Sequence, residues 1–278
     1  MALDVVGPGG AVVTGAGGGL GEQIARVLIE RGHTVLVADV DFDAATRVAS
    51  TLGVRAIPFQ LDVRDADQVE QAAAEIITHA GRLAVWINNA GVLTTGPAWE
   101  QSPQVRARMI EVNSLGLING TVAAIGAMRD AGGGHILNIV SLAGLSPVPG
   151  EAVYAASKHA ALGFSLSTNA DLRLAGIRDI AISCICPDGI WTPMLHDRLT
   201  DPDAALSFSG ELFTAEQVAE AVRRVLDSPR PVTALPRWRG ILLRVVAAFP
   251  GPALRALPLV MAQGRRTQRR ILRRRARV

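Results

Sequence analysis

Residues 11–13, Ala-Val-Val, form a short apolar run that passes directly into Thr14-Gly-Ala-Gly-Gly-Gly-Leu-Gly21 and then into a segment of helical character, residues 22–31. Strand, glycine-rich turn and helix in that order leave few folds open. Gly15, Gly19 and Gly21 let the backbone turn tightly and a pyrophosphate approach, and the free N–H groups and dipole at the helix start favour negative charge. A glycine cluster alone suits a plain turn equally well; its position after the first strand is what points to nucleotide binding.

The next strand, residues 34–39, ends on Asp39, about 20 residues beyond the glycines. A carboxylate there accepts hydrogen bonds from both hydroxyls of an adenosine ribose and repels a 2′-phosphate, which favours NAD over NADP. A solvated strand-end acid is the plain alternative, and Asp41 competes for the same role. A helix over 42–52, a strand over 54–60, the pair Asp62-Val63 placed to border an adenine, and a helix over 66–80 follow. A strand over 83–87 opens into Asn88-Asn89-Ala90-Gly91, small and amide residues that suit a ligand crevice at a strand's C-terminal end and suit a turn just as well.

A long helix is expected over 102–128, with Asn113 inside it, then a strand over 135–140 that delivers Ser141, and a helix over 151–175. A strand over 178–184 leads into Cys186-Pro-Asp-Gly-Ile-Trp-Thr-Pro-Met194, a polar, irregular stretch over 195–210 reads as a lid or a passive loop, a helix over 214–228 starts at Thr214 as N-cap, and a strand over 232–235 closes the series. Strands and helices alternate throughout, so the expected fold is α/β: one doubly wound parallel sheet of about seven strands with helices on both faces and right-handed crossovers. Residues are 49% apolar and only 4% aromatic, an aliphatic composition that suits such a buried sheet.

The chain has one tyrosine, Tyr154, and one lysine, Lys158, four residues apart. In a helix both side chains share a face, and an ammonium beside a phenol favours phenolate, lowering a pKa that starts near ~10. An ordinary amphipathic helix with one aromatic and one snorkelling lysine would look the same, but the only lysine falling at this offset by chance is improbable.

Cys184 and Cys186, two apart in one strand, are not expected to pair, which fits a reducing compartment. The first residues lack a basic and a long apolar segment, so they do not read as a secretory signal, and no uninterrupted apolar run of about 18 residues predicts a spanning helix. A cytoplasmic location is expected. The net charge of +3 is uneven: from Pro231 onwards there are 12 arginines and no acid, against 16 basic and 25 acidic residues before it.

Taken together, Thr14-Gly-x-x-x-Gly19-x-Gly21, Asn88-Asn-Ala-Gly91, Asn113, Ser141, Tyr154-x-x-x-Lys158 and Pro187 to Thr192 resemble the short-chain dehydrogenase/reductase family over roughly residues 9–235. The resemblance implies a Rossmann-like catalytic domain, residues 1–235, with a substrate loop near 190–212. It implies Tyr154 as general acid/base, Lys158 lowering its pKa and holding the nicotinamide ribose, Ser141 bonding the substrate oxygen, and Asn113 holding a water in a proton relay. Gly15, Gly19, Leu20, Gly21, Asp39, Asp62, Val63, Asn89, Ala90 and Gly91 would bind the cofactor, with Tyr154, Lys158, Pro187, Gly189 and Thr192 at the nicotinamide end; no metal is implied. Asp188 departs from the family, where glycine commonly follows the proline. A homodimer or homotetramer paired through the helices at 102–128 and 151–175 is also implied.

Residues 236–278 form an extension in which apolar segments, 238–249 and 252–261, precede an arginine-rich end. One reading is a peripheral membrane contact, apolar faces in the interface and arginines on anionic headgroups. The other is a segment packed over the substrate pocket or on a neighbouring subunit; nucleic acid is a distant third, because no aromatic platform accompanies the arginines. The leading function is NAD-dependent hydride transfer on a hydrophobic, lipid- or steroid-like secondary alcohol or ketone, with Trp191, Met194, Leu195 and Phe208 expected to line its pocket. A non-catalytic NAD-binding sensor or scaffold of the same fold is the alternative, which the intact Ser141, Tyr154 and Lys158 oppose.

Overall fold

The computed structural model describes residues 7–129 and 131–275. The described residues build one sheet of seven parallel strands: β1 (Gly10–Thr14), β2 (Thr34–Asp39), β3 (Ala56–Gln60), β4 (Leu83–Asn88), β5 (Gly134–Ile139), β6 (Ile180–Pro187) and β7 (Val232–Leu235), in the order β3-β2-β1-β4-β5-β6-β7. The strand order reverses between β1 and β4. Their C-terminal ends therefore border a crevice that no crossover helix covers.

Side chains alternate along each strand, so an apolar strand feeds two cores. Ala11 and Val13 of β1 pack towards α1 (Gly19–Glu30), α2 (Phe42–Leu52) and α8 (Ala215–Asp227). Val12 packs on the other side, with α3 (Ala66–Ala80), α5 (Gly116–Arg129) and α6 (Ala152–Leu174). Local chemistry sets the helix starts. Asp41 caps α2, Asp65 caps α3, and Thr214 with Gln217 forms a reciprocal capping box on α8.

The helix expected over 102–128 is interrupted. α4 (Pro103–Ile110) passes into a π-helical turn, Glu111–Leu115, before α5, and Asn113 sits in that turn. The stretch Pro103–Arg129 is long and apolar enough to cross a membrane by length and composition, but Met109, Leu117, Ala124 and Met128 are buried within the domain and it is a core helix. The stretch over 195–210 is likewise more ordered than its polarity suggested. It holds α7 (Pro193–His196) and a 3-10 segment, Pro202–Phe208, because Leu195, Leu199, Ala204 and Phe208 form a small core of their own.

Two helices make the extension, α9 (Arg237–Ala248) and α10 (Pro250–Arg275). α10 lies on the 3-10 segment: Ile271 and Leu272 join its apolar cluster, and Gln268 Nε2 donates to the carbonyls of Asp201 (2.7 Å) and Arg198 (3.4 Å).

A buried polar chain ties the sheet to α6. Trp86 Nε1 donates to Asn88 Oδ1 (2.8 Å), Asn88 Nδ2 donates to Asn138 Oδ1 (2.8 Å) and Thr121 Oγ1 (3.1 Å), and Asn138 Nδ2 donates to Ser165 Oγ (2.8 Å). Removing its centre orphans several groups at once, each costing roughly 1–3 kcal/mol. Asn88→Ala is therefore expected to lower unfolding stability by about 3 kcal/mol in urea titration, and a loss under about 1 kcal/mol would contradict the role given to this chain.

Candidate active site

One cavity of about 860 Å³ runs from the β1–β4 crevice to the extension, and every catalytic and cofactor-binding residue expected from the sequence except Asn113 lines it. At its nucleotide end the glycine turn is packed too closely for side chains. A Cβ on Gly21 would lie 2.2 Å from the Gly15 carbonyl oxygen, and Gly15 itself has a positive φ of 63°. Asp39 stands beside the turn, its Oδ2 accepting from the Gly17 N–H at 2.8 Å and its Oδ1 from the Asp41 N–H at 3.0 Å. Asp41 is occupied in capping α2. Asp62 and Val63 line the same end, and a fork from Arg64 holds the Asp62 carboxyl below the usual carboxylate range.

The Asn88–Gly91 turn is bonded to the glycine turn. Thr14 Oγ1 accepts from the N–H groups of Asn89 and Ala90, both at 3.0 Å, and Asn89 Nδ2 donates to the carbonyls of Thr14 (3.0 Å) and Gly15 (2.9 Å). This open-ended cradle of backbone and small residues, with a carboxylate at its rim, fits a dinucleotide.

At the other end Ser141, Tyr154 and Lys158 meet. Lys158 is buried, its Nζ donating to the Ile139 carbonyl at 3.1 Å and lying 5.7 Å from the centre of the Tyr154 ring. Burial brings the lysine down to about 8. The tyrosine does not follow the sequence expectation: burial raises the phenol above its ordinary range, the Glu151 charge adds to the rise, and hydrogen bonding from Ser141 pulls it back only in part. Desolvation is the largest cause of the rise, and the Lys158 ammonium turns one of its donors to the Ile139 carbonyl.

Asn113 stands behind this group, outside the cavity wall. Its amide exchanges two hydrogen bonds with the Val92 backbone (2.8 and 2.9 Å) and donates to Ser157 Oγ at 3.0 Å, while Ser114 Oγ donates to the Ser157 carbonyl at 2.9 Å. The widened π turn aims both residues at α6, one turn from Tyr154.

The fold agrees with the comparisons. The profile described as short chain dehydrogenase matches residues 10–203. The chain belongs to the short-chain dehydrogenase family. Among its relatives, SadH of Mycobacterium tuberculosis is 35% identical over 190 residues, covering 67% of this chain and 68% of SadH. The NAD(+) 15-hydroxyprostaglandin dehydrogenase of Mus musculus is 34% identical over 196 residues, covering 67% of this chain and 69% of that enzyme. A crystal structure of a short chain dehydrogenase/reductase from Burkholderia phymatum in complex with NAD superposes with a TM-score of 0.77 at 27% identity, over 86% of this chain and 93% of the other.

Within this short-chain dehydrogenase, Asp188 has a partner that the sequence did not reveal. Its carboxylate is buried, accepts from the Glu211 N–H at 3.1 Å and pairs at 3.2 Å with Arg239 of α9. Arg239 also donates to Ser209 Oγ at 2.9 Å. The unusual acid after Pro187 thus anchors the extension, and α9 and α10 roof the cavity through Trp238, Leu242, Val246, Leu254, Leu257 and Val260. Met194 and Leu195 line it as expected; Trp191 and Phe208 do not, packing instead in the apolar cluster of the 195–210 stretch.

Glu151 was also missed, although it stands only three residues before Tyr154, at the N-cap of α6. It is 1% exposed, lines the cavity, and accepts from Ser207 Oγ at 2.5 Å. Burial lifts its pKa to about 7; the nearby Asp201 adds to the rise, and Ser207 and Arg198 oppose it. The folded state thus binds this proton more tightly than the unfolded chain, so stability falls as pH rises from the ordinary carboxyl value to about 7. Glu151→Gln should remove that slope and gain roughly 3 kcal/mol relative to wild type at pH 8 in urea titrations. An unchanged slope between pH 5 and 7 would contradict the assignment.

Proposed function

We propose that this protein is a NAD-dependent oxidoreductase that moves a hydride between nicotinamide and a hydrophobic secondary alcohol or its ketone, lipid- or steroid-like in size, with Tyr154 as general acid/base. The observation that carries this is the meeting of Ser141, Tyr154 and Lys158 in the same cavity as the glycine turn and Asp39, beneath an apolar roof. Asp39, bonded to the glycine turn, favours NAD over NADP, as does the NAD named for the prostaglandin dehydrogenase and the Burkholderia phymatum structure.

Gly15, Gly19, Leu20 and Gly21 would hold the pyrophosphate, Asp62 and Val63 the adenine, and Asn89, Ala90 and Gly91 the middle of the cofactor. Pro187, Gly189 and Thr192 would hold the nicotinamide end, Thr192 standing across the cavity from Gly19. When bound, nicotinamide supplies the hydride donor or acceptor.

In oxidation Tyr154 takes the hydroxyl proton while Ser141 donates a hydrogen bond to the oxygen; in reduction the same phenol returns the proton as negative charge develops there. The environment raises the phenol's pKa, which readies it as the acid for reduction and makes oxidation climb with pH. Lys158 would hold the nicotinamide ribose and pass protons. Gly91 keeps a gap behind it, since a Cβ there would lie 3.3 Å from Asn113 Oδ1 and 3.7 Å from Lys158 Nζ, and this gap suits the relay water assigned to Asn113.

The active unit is read as a homodimer or homotetramer paired through α4, α5 and α6, whose outer faces leave Ile110, Leu115, Val122 and Leu166 exposed. The extension, residues 236–278, is read as a roof on the catalytic domain and as the surface for peripheral membrane contact.

The test is turnover of a panel of hydrophobic secondary alcohols followed by nicotinamide absorbance. Tyr154→Phe is expected to lower kcat/KM by about 10²–10⁴ while NAD still binds. Undiminished activity in the variant would remove the mechanism, and NAD binding without turnover of any alcohol by wild type would favour the sensor reading.

A further inference from the structure

The extension carries two surfaces that hydride transfer does not use. On α9, Trp238, Ile241, Leu242, Val245 and Phe249 recur at helical spacing and are 49–65% exposed, forming one apolar stripe. The opposite face of α9 is spent on the domain, with Arg239 on Asp188 and Leu243 against the Cys184, Cys186 and Ala234 cluster. On α10, Arg266, Arg269, Arg270, Arg273 and Arg274 share a second face and line an arginine-only cleft. Its opposite face, with Gly264, Gln268, Ile271 and Leu272, lies on the lid. The arginine face is therefore turned away from the domain, while the α9 stripe is exposed and borders the cavity through Trp238 and Leu242.

None of the five arginines pairs with a carboxylate among the described residues. Five like charges on two turns repel one another unless an extended anionic surface meets them. An apolar stripe of this length binds a bilayer only marginally by itself, and a cluster of arginines adds about 1 kcal/mol each at an anionic surface. Trp238, Leu242, Leu254 and Val260 both line the cavity and are exposed, so they mark its rim. Two of them, Trp238 and Leu242, belong to the α9 stripe.

We infer that the extension seats this dehydrogenase on an anionic lipid bilayer, with the α9 stripe in the interface and the α10 arginines on headgroups, so that the cavity mouth opens towards the lipid. A hydrophobic alcohol then passes from the acyl region into the cavity without crossing water. The entry route rests on the hydrophobic-substrate reading above; the docking does not.

Full-length protein is mixed with vesicles of phosphatidylcholine alone or with phosphatidylserine at about one part in three, and sedimented. Wild type is expected to pellet with the anionic vesicles and to be released by salt. Two variants leave the cavity wall untouched: Ile241→Ser/Val245→Ser/Phe249→Ser, and Arg266→Gln/Arg270→Gln/Arg273→Gln. The arginine variant should bind roughly a hundredfold more weakly, and the serine variant at least about tenfold. In both, turnover of a short water-soluble alcohol should stay at the wild-type level, while oxidation of a long-chain secondary alcohol carried in the vesicles should fall with binding.

Wild type remaining in the supernatant, or variants pelleting like wild type, overturns the docking. So does a serine variant that turns a dimer into a monomer by light scattering when wild type ignores vesicles, which would make the stripe a subunit interface. Vesicle binding without turnover of either alcohol supports the docking and removes the entry route.

Discussion

The Thr14 hydroxyl holds the molecule's two halves at the place where the sheet reverses. It accepts the N–H groups of Asn89 and Ala90 and donates to the Ile87 carbonyl at 3.4 Å, and Asn89 returns two bonds to the glycine turn. These few bonds fix the exit of β4 against the exit of β1. The open crevice between those strands, the position of Asp39 at its rim and the line of the cavity towards Ser141 all follow from that joint. An α/β sheet binds ligands at its switch point because crossover helices leave that point uncovered, and the small side chains here keep it uncovered.

The Ser141 end of the cavity is built against the electrostatic preference of its own groups. A lysine and a tyrosine withdrawn from water both resist ionising, and Glu151 is a third buried group with the same resistance. Stability spent on burying ionisable groups is a mark of functional sites. Here the groups share one cavity, and Asn113 and Ser114, presented by a π turn, bond to Ser157 of α6 one turn beyond Tyr154.

Much of this was legible in the residues. The order of elements followed from apolar runs and glycine punctuation, and Thr214 caps its helix as local chemistry dictates; Asp41, read as a rival to Asp39, is a helix cap instead. Tyr154 and Lys158 were conspicuous as single copies at helical spacing. What escaped depends on distance in three dimensions. The rise in the Tyr154 pKa reflects how much protein surrounds it, which no spacing reveals. Asn113 looked like part of a regular helix because a π turn inserts no signature residue. Asp188 was visible as a departure from its family, but its partner Arg239 lies about 50 residues away and is found only by folding the chain. The stretch over 195–210 looked irregular because its buried apolar residues, Leu195, Leu199, Ala204, Ala205 and Phe208, have no single period.

Through that ion pair an arginine-rich extension is held against a short-chain dehydrogenase core, and its residues line the same cavity as Tyr154. In the proposed function hydride passes inside this cavity from a hydrophobic carbinol carbon to nicotinamide. The most direct measurement uses long-chain secondary alcohols deuterated at the carbinol carbon, with NAD and the full-length protein, and locates the label by NMR. Deuterium at C4 of the nicotinamide, delivered to one face only, is the predicted result. Tight NAD binding with the label retained in every alcohol would contradict the claim and leave a protein that holds its cofactor without using it.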